Sequence, residues 1–135
     1  METLKIHTGQ VCLNIVDDSG ESRGVFKFNP NDITVAKRIY SLQGTIADKQ
    51  KEYEERVNQA EASEESSIEL LEEIVQYFRG VIDDIFGAGS SNILFGDACS
   101  ISMFDDFFEG ITPYYQKASE ARVQKYKKVK GSTKK

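Results

Sequence analysis

The chain has 135 residues, 39% of them hydrophobic and 29% charged, and a formal net charge of −5. This is the composition of one folded domain, and it excludes a disordered chain. The charge is divided unevenly: Arg122 to Lys135 holds seven basic residues and no acidic one, which leaves −12 on the preceding residues. An acidic body repels phosphate and argues against a dedicated nucleic-acid binder, so the basic end is expected to be a solvated terminus.

The first 29 residues read as strand and turn. Leu4-Lys5-Ile6 and Val11 to Val16 flank His7-Thr8-Gly9-Gln10, and the turn formers Asp17 to Ser22 precede Val25-Phe26-Lys27-Phe28. Three short alternating runs predict an antiparallel meander that needs helices against one face. Met1 to Val16 lacks the features of a secretory signal, and no stretch nears the roughly 20 apolar residues of a membrane span. The expected location is the cytoplasm, with no membrane contact. Cys12 and Cys99 have no CxxC spacing and no nearby His, so they read as free core thiols.

Asn29-Pro30-Asn31-Asp32 stops the meander, and Asp32 is a natural cap for a long helix over 32–62. Its seam runs Ile39, Gln43, Ile46, Gln50, Tyr53, Val57, Ala60, which is coiled-coil spacing suited to self-association or pairing with another helix. The charged distal half, Lys49 to Glu61, is expected to project as an arm or to pair. Ser66 and Glu69 have capping-box spacing for a second helix over 66–86. That helix carries Ile68, Leu71, Val75, Phe78, Ile82 and Ile85 on one stripe, which makes it the central core helix, and Gly87 ends it.

Gly87 to Asn92 reads as a loop and Ile93-Leu94-Phe95 as an apolar plug closed by Gly96. The C-terminal helical region, 92–128, then divides: a helix from Ile101 to about Glu109, and a second restarting at Thr112-Pro113 and running towards Lys128. Residues 131–135 are expected to be disordered. The whole is a single domain over 1–130 of mainly α, α+β class, a small β-meander followed by a bundle of three to four helices.

No arrangement of residues reads as catalytic, cofactor-binding or metal-binding. His7 is the only histidine, which leaves no imidazole partner for a dyad or a zinc site. The pairs Asp83-Asp84 and Asp105-Asp106 diverge by about 100° on a helix and suit a solvated acidic face. Gly87-Ala88-Gly89-Ser90-Ser91-Asn92 follows a helix rather than a strand and lacks the third glycine of a dinucleotide fingerprint. The aromatic residues Phe104, Phe107, Phe108, Tyr114 and Tyr115 read as core, with one member of each adjacent pair free to face a partner, and Ile93 and Phe95 join this candidate surface.

Three ordered patterns carry a resemblance: Val81-Ile82-Asp83-Asp84-Ile85-Phe86-Gly87-Ala88-Gly89, then Ile93-Leu94-Phe95-Gly96-Asp97, then Phe107-Phe108-Glu109-Gly110-Ile111-Thr112-Pro113-Tyr114. With Phe26 to Asp32 ahead of the long helix, residues 25–128 resemble small tail assembly chaperones of Gram-positive siphophages. The resemblance implies a non-catalytic late protein of the bacterial host cytoplasm, absent from finished particles. It would keep the tape measure protein soluble and help recruit tail tube subunits. In such phages a programmed frameshift often extends the product, and Lys127-Lys128 and Lys134-Lys135 are compatible with slippery codons. The alternatives are a structural tail or head–tail connector subunit retained in the virion, and a small helical adaptor or regulatory protein.

Overall fold

The computed structural model describes residues 1–59 and 63–132, with side chains described as far as Tyr126. Among the described residues two strands precede four helices, so the chain is mainly α with a small β part. Strands β1 (Val11–Val16) and β2 (Ser22–Phe28) pair antiparallel, with Val11 opposite Phe28 and Leu13 opposite Phe26. Asp17 sets the turn between them: its carboxylate accepts from the backbone N–H of Ser19 and of Glu21, both at 2.9 Å.

The meander has two strands rather than the expected three. Leu4-Lys5-Ile6 forms no strand, and Leu4 and Ile6 are 84% and 73% exposed. The turn needed to fold that segment back is not made, because the carbonyl of Thr8 is held by the side-chain amide of Asn31 just beyond β2. Between Ile15 and Val16 the register slips, leaving Arg23 as an extra residue. The bulge re-aims that side chain, and its guanidinium donates to the carbonyl of Leu94 at 2.9 Å. Gly24 beside it has φ of 135°, a conformation that costs a residue with Cβ.

Helix α1 (Ile33–Val57) starts as the sequence dictates: the Asp32 carboxylate accepts from the N–H of Val35. It stops at Val57, short of the expected 62, and residues 60–62 lie outside the described residues. Helix α2 (Glu64–Phe86) is capped by Ser63, whose hydroxyl accepts from the N–H of Ser66. The cap therefore lies one turn earlier than the predicted Ser66/Glu69 box, and Glu64 and Glu65 occupy the first turn, where the helix dipole favours acid. The two helices form an antiparallel hairpin, with Arg38 near the start of α1 reaching the carbonyl of Asp84 near the end of α2.

Helix α3 (Ser90–Phe95) absorbs the predicted apolar plug, and Gly96 ends it at φ of 60° with Arg23 Nε 3.2 Å from where a Cβ would stand. Helix α4 (Ser102–Ser132) replaces two expected helices with one and passes through Pro113 without a break. The reason is the stripe Phe104, Phe107, Ile111, Tyr115 and Ala118, buried and continuous across the proline. Burying those side chains at about 25 cal/mol per Å² outweighs the roughly 3 kcal/mol that an interior Pro costs. The Thr112 hydroxyl, expected to cap a new helix, instead donates back to the carbonyl of Phe108 within the same one. Gly131 and Ser132, expected to be disordered, belong to α4, while residues 133–135 lie outside the described residues.

The core gathers Phe26 and Phe28 of β2 with Ile39, Leu42 and Ile46 of α1, Val75, Phe78 and Ile82 of α2, and the α4 stripe. Cys12 and Cys99 are free as expected, but both are exposed rather than core. The alternation of β1 places Cys12 on the solvent face, and Cys99 lies in the polar link before α4. Among the described residues no helix is long and apolar enough to cross a membrane.

One core residue is poorly satisfied. The Tyr115 hydroxyl is buried without a hydrogen-bond partner, and burial, with a smaller contribution from the Asp32 charge, pushes its pKa up to about 12. Folding therefore holds the phenol proton more tightly than the unfolded chain does, so stability is lost as pH rises from about 10 towards about 12. Tyr115→Phe should remove that alkaline dependence in chemical denaturation. It should also raise neutral stability by about 1 kcal/mol, since an unmet buried hydroxyl is removed without changing the ring.

Candidate partner-binding surface

The structure sorts the sequence-predicted contact residues by depth. Phe95, Phe104, Phe107 and Tyr115 are buried, and Ile93, Phe108 and Tyr114 are half-buried. The buried rings are taken up inside the chain. Phe104 meets Phe78 and Phe95 edge-on at 5.6 and 5.3 Å, Phe107 meets Phe26 and Phe86, and Tyr115 stacks on Phe28. The aromatic C-terminal half is therefore chiefly the packing partner of β2 and α2. Sequence could not separate the two roles, because apart from Phe95, nine residues before Phe104, the rings' partners lie some 20 to 90 positions away.

The α1 seam is also largely used within the chain. Ile39 and Ile46 are buried, Gln43, Gln50 and Tyr53 are half-buried, and only Val57 of that set is exposed. With Leu42 interleaved between them, Ile39 and Ile46 pack in the core formed with α2, so over its first half the seam joins the helical hairpin.

What stays open is the outer face of that hairpin. A groove of about 400 Å³ runs between α1 and α2, floored by Leu42, Val81 and Ile85 and edged by Tyr77. Lys37 and Arg38 are the charged residues along it, a local positive strip on an acidic body. Ile33 and Tyr40, spaced with Lys37 along one side of α1, are 66% and 58% exposed, and Tyr77 is 54% exposed. Two helices with an apolar trough between them form the seat into which a third amphipathic helix lies.

A second cleft, of about 410 Å³, lies beneath β1. Leu13 and Ile15 overhang it, Met103, Phe107 and Ile111 of α4 form its floor, and Asp17, Asp18 and Asp106 stand at its rim. A polar recess at α3 is filled by a charge network: Arg79 donates to the carbonyls of Gly96 and Ala98 and to Asn92, while Asp83 accepts from the backbone and hydroxyl of Ser91. Those groups are mutually satisfied and read as structural. Among the described residues no group of three or more His, Cys, Asp or Glu side chains could hold a metal ion.

A family model described as a family of unknown function (DUF6673) matches residues 23–135. No curated protein and no solved structure matches the chain.

Proposed function

The chain belongs to the DUF6673 family of unknown function, and from that starting point we propose that it is a phage tail assembly chaperone that binds helical segments of the tape measure protein. The observation that carries this reading is the open groove of the α1–α2 hairpin, with its apolar floor of Leu42, Val81 and Ile85. A chaperone for a long helical client needs a trough that accepts one amphipathic helix by its apolar face. It also needs net charge to keep the complex in solution, and the residues before Arg122 supply −12. Lys37 and Arg38 select client helices whose apolar stripe is flanked by acidic residues. Delivery of tail tube subunits belongs to the same proposal and rests on the resemblance of residues 25–128 alone.

The proposal is checked by co-expression with the tape measure protein. The wild-type chain should keep the client in the soluble fraction and co-purify with it. Tyr77→Ala combined with Lys37→Glu and Arg38→Glu should reduce recovery of the complex at least tenfold while the free variant keeps its helical circular dichroism. Unchanged recovery would remove the groove from the binding surface. Mass spectrometry of finished particles separates the roles: stoichiometric retention there would make the chain a structural subunit instead.

A further inference from the structure

The sheet ends at β1. Among the described residues it has two strands, so the outer edge of Val11–Val16 presents backbone donors and acceptors with no strand beside them. The buried-face residues of β1 are also incompletely covered. Phe26 and Phe28 on β2 are 2% and 4% exposed, whereas their cross-strand partners Leu13 and Val11 are only half-buried. The strand overhangs the helical layer, and the 410 Å³ cleft with Met103, Phe107 and Ile111 on its floor is the space beneath that overhang.

The same chain carries a segment shaped for that space and does not use it there. Leu4-Lys5-Ile6 alternates apolar and polar, which places Leu4 and Ile6 on one face of an added strand, yet both are exposed. Residues 1–7 extend to roughly 23 Å and the six residues of β1 to about 20 Å, so the arm matches the edge in length. Lys5 between them would point to the opposite, solvent-facing side. The arm is kept from its own edge by its root: Thr8 is held by Asn31, which follows β2, on the side of the hairpin away from the free edge of β1.

We infer that the segment Leu4–Ile6 of one copy adds as a strand to the free edge of β1 in a second copy, dropping Leu4 and Ile6 into the cleft between Leu13 and Met103. The exchange is reciprocal, since each copy offers the same arm and the same edge, and it closes as a twofold dimer. This inference does not depend on the chaperone reading, because the α1–α2 groove and the β1 cleft have no lining residue in common.

Light scattering on the full chain over a concentration series should give twice the 15.2 kDa monomer mass. Leu4→Asp combined with Ile6→Asp should return the monomer with unchanged helical circular dichroism, because neither side chain contributes to the core. A second measurement uses Cys12, exposed on the outer face of β1, where Lys5 of an added strand would also point. In a Cys99→Ser background, Lys5→Cys treated with a short bis-maleimide should yield a covalent dimer that disappears when Leu4 and Ile6 are also replaced. A monomeric parent chain, a dimer that survives the arm substitutions, or a link formed within one chain would each overturn the inference.

Discussion

Phe104→Ala should lower stability by about 3–5 kcal/mol, the range for emptying a buried aromatic site. In a domain of this size that is a fall of roughly 10–20 °C in the melting midpoint. Phe104 is fully buried, and its ring sits edge-on against Phe78 and Phe95, so truncation removes both contacts and opens a void where α2, α3 and α4 meet. Phe108→Ala, at the half-buried neighbour, should cost about 1–2 kcal/mol on the same burial scale. The pair separates two readings of the aromatic C-terminal half. If these rings faced a partner, Phe104→Ala would leave denaturant unfolding of the free chain nearly unchanged and weaken binding instead. If they form the core, the loss appears in the isolated chain. A loss under about 1 kcal/mol for Phe104→Ala would refute the core assignment.

The difference between those readings also marks what the sequence could express. Local chemistry was legible: the Asp32 cap, the stripe of α2 from Val75 to Ile82, the stop at Gly87 and the pairing of Val11–Val16 with the run ending at Phe28 all follow from spacing and side-chain type over a few residues, although Ile68, expected to begin that stripe, is 56% exposed. Tertiary competition was not. The Thr112-Pro113 pair has the local signature of a helix start, yet α4 runs through it because the apolar stripe on either side is in register and buried against β2 and α2. Leu4–Ile6 alternates like a strand and forms none, because a strand needs an edge within reach and Asn31 ties its root elsewhere. The open groove on α1 and α2 was hidden for a related reason. A residue such as Val81 or Ile85 looks the same in sequence whether its outer flank is covered or bare, and only the count of neighbouring helices decides it. Under the proposed function, the candidate binding residues therefore lie on the outward side of the hairpin rather than among the buried rings of α4.

The second large effect belongs to Arg79. Residues 79 and 83 lie one turn apart on α2 and present opposite charges to the two ends of α3. At the start of α3 the Asp83 carboxylate accepts from the backbone N–H of Ser91 at 2.8 Å and from its hydroxyl at 3.0 Å, satisfying a donor that the first turn leaves unmet. At its end the Arg79 guanidinium donates to the carbonyls of Gly96 at 2.7 Å and Ala98 at 2.9 Å and to the Asn92 side chain at 2.8 Å, with Phe95 beneath its plane. One planar fork thus holds three acceptors, the Asn92 side chain of α3 and the Gly96 and Ala98 carbonyls of the link to α4. Arg79→Ala should cost about 2–3 kcal/mol, part of the full value for three charge-assisted bonds because two of them are exposed to water. Arg79→Lys should recover less than half, since a single ammonium cannot span acceptors arranged for a fork. The loss should also be local. Hydrogen exchange at Gly96 and Ala98, and through α3, should quicken in Arg79→Ala well before that of the central turns of α2. Because Arg79 and Asp83 grip the same six-residue helix, a double-mutant cycle with Asp83→Ala should show that the two losses do not add. Strict additivity would mean that α3 is held at its two ends independently, and that the pair does not act as one clamp.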